Sequence, residues 1–181
     1  MRPLAIELAF DDASSKRLTR LWTRAARLHD GRPTSELGVR PHVTLALFTE
    51  DEPSDPVATV AALAAALGPF DLDLAIIDRF PTDEGVIFLR PDPSPALAHA
   101  HALAHDVLGD DRDRVHAYYR LGGWHPHCTM AINVPEARVE PVFAACRAEG
   151  LGTVRITRVQ LVRYRPATEL AVFALQGVAA R

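Results

Sequence analysis

The chain has 181 residues, 48% of them apolar and 24% charged, and its 20 Lys and Arg against 23 Asp and Glu leave a net charge of −3. This is the make-up of an ordinary globular protein with room for one large domain or two small lobes on a shared core; it argues against a protein that coats long nucleic acid by neutralising phosphates, though not against a short or terminal nucleotide ligand. Two cysteines, Cys128 and Cys146, with neither CxxC nor zinc spacing argue against a disulfide framework, and the longest apolar stretch, Val57 to Leu67, is far too short to span a bilayer, so a soluble, cytoplasmic protein with no membrane partner is expected.

Leu4–Phe10 is predicted as a first strand, with one acidic residue, Glu7, inside an apolar run that does not read as a signal peptide. Asp11–His29 is predicted as a helix: Asp11 or Asp12 can cap it, Leu18, Leu21, Trp22, Ala25 and Leu28 recur at helical spacing, and Gly31 and Pro33 end it. Pro41-His42-Val43-Thr44-Leu45-Ala46-Leu47 then reads as a strand. Val57–Leu67 is a predicted helix closed by Gly68 and Pro69, and Phe70–Phe80 with Val86–Arg90 read as a hairpin. The order then recurs: a helix over Pro95–Leu108, a polar, mobile-looking loop over Asp110–His125, a strand Pro126-His127-Cys128-Thr129-Met130-Ala131-Ile132, a helix over Glu136–Glu149 ended by Gly150, and a hairpin of Thr153–Tyr164 with Glu169–Gln176.

The recurrence has a fixed offset of 85 positions without a gap, which pairs Gly38 with Gly123, Pro41 with Pro126, His42 with His127, Thr44 with Thr129, Pro56 with Pro141 and Pro81 with Pro166. Turns in register mean units in register. The expected fold is α+β and bilobal, a duplicated helix–strand–helix–hairpin unit on a pseudo-twofold, with two antiparallel sheets flanking a central cleft and helices outside. The lobes are expected to be residues 1–92 and 93–181 of a single domain.

Side chains on a strand alternate between faces. His42, Thr44 and Ala46 therefore share one face, as do His127, Thr129 and Ala131, and each strand offers an imidazole beside a hydroxyl with a small residue leaving room. Two imidazoles on opposite sides of a phosphate can serve as base and acid near neutral pH, and either can take either role. The threonine hydroxyls can hold the non-bridging oxygens. This chemistry calls for no metal or other cofactor.

Two His-x-Thr motifs, one per half of a chain of this size, with the lead-in Gly122-Gly123-Trp124-His125-Pro126-His127, resemble the 2H phosphoesterase superfamily, which includes the 2′,5′ RNA ligase-like proteins and the RNA 2′,3′-cyclic phosphodiesterases. The resemblance implies a bilobal fold with a central cleft, and hydrolysis of a cyclic phosphodiester or joining of RNA ends through a 2′,5′ linkage. It carries His42, Thr44, His127 and Thr129 over as catalytic residues, with an RNA end or small nucleotide as partner and no obligate protein partner. Only Arg40 precedes Pro41-His42, a shorter basic approach than many RNA-joining members have, so a small cyclic nucleotide stays open as substrate.

Other residues carry weaker signals. Arg40 and His125, each two before its histidine, can steer phosphate or simply be surface. Arg163 and Arg165 can hold a second phosphate and Tyr164 can stack on a base, or the three form a basic strand edge. Tyr119, with Tyr118 and Arg120, can form a lid. Cys128 reads as a buried core thiol. His99, His101 and His105 include a four-residue helical spacing able to bind metal, but a solvated helix face is the expectation. The rival functions are a nucleotide-binding module that has lost turnover and a metal-dependent hydrolase.

Overall fold

A computed structural model describes residues 2–49, 51–149 and 152–177. β1 (Leu4–Phe10) runs into α1 (Asp12–Leu28). Asp11 is the cap, its Oδ1 accepting from the Ser14 amide at 2.7 Å, and Leu18, Leu21, Trp22 and Ala25 form the buried face. After a 3-10 turn at Thr34–Leu37 come β2 (His42–Phe48) and α2 (Pro56–Ala66), the latter started by the Asp55 cap and a proline in the first turn. β3 (Phe70–Asp73), β4 (Ile76–Arg79), β5 (Ile87–Arg90) and α3 (Pro95–Leu108) follow, then β6 (Cys128–Ala131), α4 (Val139–Ala148), β7 (Thr153–Arg163) and β8 (Thr168–Ala174). Among the described residues no helix is long and apolar enough to cross a membrane.

Both sheets are antiparallel. The first runs β2-β1-β7-β3, with β8 also paired to β7, and the second runs β4-β5-β6. In each, the strand that carries or follows a motif histidine pairs with the strand that precedes its own unit's first helix: β2 with β1, β6 with β5. The third position is exchanged. β7, from the end of the chain, pairs with β1, and β4, from the first half, pairs with β5. The sheets therefore draw strands from both chain halves. The repeating unit is strand–helix–strand–helix–strand, with β1 equivalent to β5 and β4 to β7. The helices cross in the same sense: α1 and α4 pack together against β6 and β4, while α2 and α3 pack together against β7, β8 and β2.

Three sequence expectations change. Phe70–Phe80 is not one strand but two, because β3 pairs with β7 in the first sheet and β4 with β5 in the second; the chain changes sheets at buried Leu74. The helix expected from Glu136 starts as a 3-10 turn, Glu136–Arg138, and becomes α-helical at Val139; its expected stop, Gly150, lies outside the described residues. The loop before β6 is built of two 3-10 turns, Gly109–Arg114 and Ala117–Tyr119, and is tied down. Arg120 donates to the Val115 and Asp113 carbonyls, both at 2.8 Å, and the His116 amide donates to Leu47 O at 2.7 Å.

The histidines of α3 help to hold this loop. His101 and His105 are only 4% and 3% exposed, which overturns the expectation of a solvated helix face; His99 alone is exposed. Both buried rings place Nε2 at the Tyr119 carbonyl, at 2.9 and 3.0 Å, and His101 stacks on Trp124 with ring centroids 3.9 Å apart. Two indoles then brace the motif strands across the pseudo-twofold: Trp22 Nε1 donates to Thr129 O at 2.8 Å and Trp124 Nε1 to Thr44 O at 3.0 Å.

Trp22→Phe strands the Thr129 carbonyl and is expected to cost about 1–3 kcal/mol beyond the lost ring volume. Urea denaturation measures it, and an unchanged midpoint contradicts the bracing role. The buried histidines also set a pH dependence. Burial pushes His101 down to about 4 and lowers His29 and His127. The unfolded chain, whose histidines titrate near 6.5, binds protons that the folded one refuses, so stability is full above about pH 6.5 and falls as pH drops toward 4. Urea midpoints taken across this window should fall, and His101→Gln should flatten the fall; a flat wild-type profile contradicts it.

Candidate active site

β2 and β6 lie against each other where the two sheets meet. Each motif strand slips register one residue after its threonine. Along β2, Glu7 pairs with Thr44 but Ile6 with Ala46, leaving Leu45 as the extra residue. Against β5, Phe88 pairs with Thr129 but Ile87 with Ala131, leaving Met130 extra. These matched β-bulges invert the alternation beyond them. Ala46 and Ala131 consequently turn into the core, at 0% and 3% exposure, and do not share the His/Thr face as simple alternation predicts. In the first sheet the small residue beside a histidine is Ala9, which pairs with His42.

The histidines are held alike. His42 Nδ1 lies 2.6 Å from Arg40 O, and His127 Nδ1 lies 2.8 Å from His125 O. A carbonyl only accepts, so Nδ1 carries the proton in both rings, and Nε2 is the nitrogen left for chemistry. Neither threonine hydroxyl has a hydrogen-bond partner among the described residues, and the two carbonyls of these threonines are the atoms the indoles hold. The site thus contains two imidazole–hydroxyl pairs on adjoining strands, each oriented through its own backbone.

Their surroundings differ. Phe80 and Phe88 pack on His127, with centroids 5.0 and 5.3 Å from its ring. Burial holds this imidazole below the usual histidine value, with His42 and His125 acting in the same direction against the hydrogen bond to the His125 carbonyl. His42 instead has Glu7 Oε1 at 3.4 Å and the Tyr164 hydroxyl at 3.4 Å from Nε2. Glu7 is fully buried; Tyr164 donates to its Oε1 and Gln160 Nε2 to its Oε2 at 2.8 Å. Burial and the Glu7 charge both raise the Tyr164 phenol, so it stays a donor. The sequence reading gave Glu7 no place in the site. The signal available was a lone acid in the middle of an apolar strand that proves buried along its whole length.

The remaining expected residues divide. Arg40 is exposed and reaches Glu169 at 3.6 Å. It lines a groove of about 110 Å³ with Ala9, Pro41, Arg158 and Gln160. His125 is exposed and lines a groove of about 790 Å³ with Arg90, Ser94, Trp124 and Pro126. The two grooves correspond in part under the 85-residue offset, with Arg40 and Pro41 in one matching His125 and Pro126 in the other, and neither is lined by a motif histidine or threonine. Arg163 is not available to hold a second phosphate, because a two-pronged ion pair binds it to Glu52, with Nη2–Oε2 at 3.0 Å. Arg165 is exposed at the turn after β7. Tyr164 reaches Glu7 and His42 rather than offering a free stacking face. Tyr119 is half-buried against the core and near enough to Glu7 for that charge to raise its phenol further after burial has done so, so it is part of the wall and not a lid; Tyr118 is the exposed tyrosine, at 77%. Cys128 is fully buried and its thiol is pushed up to about 12, as a core residue. Among the described residues no three His, Cys, Asp or Glu are grouped to hold a metal ion.

The sequence profile of the 2′-5′ RNA ligase superfamily matches residues 10–168. Among curated proteins none matches the chain. Solved structures share its fold at low identity. E. coli LigT complexed with 3′-AMP is 17% identical, covers 96% of this chain and 98% of its own, and has a TM-score of 0.63. TT0787 of Thermus thermophilus is 20% identical, covers 98% and 100%, and also has a TM-score of 0.63. A structure described as a phosphoesterase is 17% identical, with coverage of 96% and 98% and the same score. The duplicated strand order, the paired His-x-Thr motifs and the profile match along most of the chain agree, and the chain belongs to the 2′-5′ RNA ligase superfamily.

Proposed function

We propose that this chain is a metal-independent phosphodiesterase that opens 2′,3′-cyclic phosphate ends of RNA or of a small nucleotide, with His42, Thr44, His127 and Thr129 as its catalytic residues in one cleft shared by the two lobes of a single domain. The observation that carries the reading is the matched orientation of the two imidazoles, each with Nδ1 engaged by the carbonyl two residues before it, so that Nε2 is the nitrogen open to chemistry in both. Family membership supports it. So do the complexes of LigT with 3′-AMP and with phosphate, which show that a protein of this fold takes such ligands.

The threonine hydroxyls donate to the non-bridging oxygens and hold the phosphorus between the rings. One Nε2 takes a proton from water as the water oxygen bonds to phosphorus. The bond from phosphorus to one ribose oxygen breaks, and that oxygen keeps the electron pair and takes a proton from the other Nε2. The product is a phosphomonoester beside a free hydroxyl, and proton exchange with solvent restores both rings. Ligation is the same exchange with a 5′-hydroxyl in place of water, run toward the 2′,5′ linkage. A binding module without turnover has no use for two oriented proton carriers.

Hydrolysis of nucleoside 2′,3′-cyclic phosphates in excess EDTA tests the proposal. Wild type should turn over undiminished, with a bell-shaped pH–rate profile. His42→Ala and His127→Ala should each lose about 10²–10⁴-fold in kcat, and Thr44→Val or Thr129→Val about 10²-fold. Wild-type rates in either histidine variant, or abolition by EDTA restored by added metal, contradict the assignment.

A further inference from the structure

The pseudo-twofold relates the two histidines but not what faces them. Opposite Thr129 on the neighbouring strand stands Phe88; at the equivalent place opposite Thr44 stands Glu7. The next strand continues the contrast, with Asp78 beside Phe88 and Gln160 beside Glu7. Asp78 is half-exposed and lies 3.8 Å from Arg90, whereas Gln160 is 2% exposed and donates to Glu7. One imidazole is therefore walled by two phenyl rings, and the other faces a buried carboxylate.

We propose that Glu7 is the positioning residue that makes the paired site directional, fixing His42 as the proton donor to the leaving oxygen and leaving His127 as the base. This rests on the phosphodiesterase reading above. A carboxylate without water must be satisfied by donors or neutralised by a cation. Tyr164 supplies one donor and Gln160 another, on different oxygens. The remaining neighbour within reach is His42 Nε2, at 3.4 Å from Oε1. The carboxylate stands beside that nitrogen as a charge and leaves the single Nε2 hydrogen for the substrate, Nδ1 being held by Arg40 O. In the transition state the proton passes to the ribose oxygen, and Glu7 stays on the ring side of the transfer, touching no substrate atom. Among the described residues His127 has no such partner. Phe80 and Phe88 pack on its ring, surroundings that favour a neutral imidazole able to take a proton from water. The other charged and titratable groups packed around His42 do not compete for this role: Arg40 is drawn to Glu169, and Tyr119 stays a protonated phenol.

A leaving group that needs no proton separates the two roles. Initial rates are compared on a nucleoside 2′,3′-cyclic phosphate, whose sugar oxygen must be protonated, and on thymidine 3′-(p-nitrophenyl phosphate), whose phenolate leaves unaided. Glu7→Gln and His42→Ala should lose at least about tenfold in kcat on the cyclic phosphate and stay within about threefold of wild type on the aryl ester; His127→Ala should lose on both. Glu7→Asp, which keeps the charge, should recover part of the loss. Equal losses of Glu7→Gln on both substrates, or rescue of His127→Ala by the aryl ester, overturns the assignment. Rates indifferent to both histidines would sink the phosphodiesterase reading itself. A second measurement needs no turnover. In ¹⁵N spectra of the ring nitrogens, Glu7→Gln should shift the His42 resonances and leave those of His127 in place, and the reverse pattern overturns Glu7's place at His42.

Discussion

The ladder between β1 and β7 is the constraint on which the site depends. It pairs Leu4 with Arg163 and runs to Phe10 opposite Ile156, tying the beginning of the chain to its end. β1 is buried along its whole length because β2 covers its other edge. If β7 paired elsewhere, β1 would lose a partner, β2 would lose the strand that holds it, and Glu7 would be left in the core without Gln160 and Tyr164. A buried carboxylate stripped of its donors costs several kcal/mol, so the ladder's register and the Glu7 network stabilise each other. The mirrored pairing of β4 with β5 does the same for the second sheet without a charge to satisfy.

Duplication supplies two matched imidazole–hydroxyl pairs, and a departure from duplication sets their surroundings apart. Matched bulges at Leu45 and Met130, matched Nδ1 hydrogen bonds to Arg40 and His125, and indole clamps on equivalent carbonyls from the non-equivalent Trp22 and Trp124 bring two imidazole–hydroxyl pairs to adjoining strands. Identical surroundings would leave the rings interchangeable. Exchanging a phenyl wall for a carboxylate at one position distinguishes them and leaves the backbone that orients them alone. The cost falls on the first sheet, whose middle must satisfy polar atoms where the second packs rings.

The motif pair was legible because its evidence is local and repeated: a proline, a histidine, a threonine and an apolar tail, in register at an offset of 85. The start of α1 was legible for the same reason, from the capping residue Asp11. What the sequence hid lies in pairing between distant segments. The faces of Ala46 and Ala131 depend on bulges that only the neighbouring strands reveal. The burial of His101 and His105 depends on a loop that folds back over α3 to offer one carbonyl to both rings. Arg163 read as a phosphate ligand because Glu52, which occupies it, lies 111 positions away. Glu7 read as an oddity in an apolar strand because Gln160 and Tyr164 stand 153 and 157 positions from it.

The central claim is that the two histidine–threonine pairs grip one phosphate from opposite sides. A crystal structure of the protein with bound inorganic phosphate or vanadate tests it most directly. The account predicts a single anion contacting the hydroxyls of Thr44 and Thr129, with His42 Nε2 and His127 Nε2 on opposite sides of its centre. An anion seated instead in the groove of Arg40 and Arg158, or touching only one of the two pairs, contradicts it.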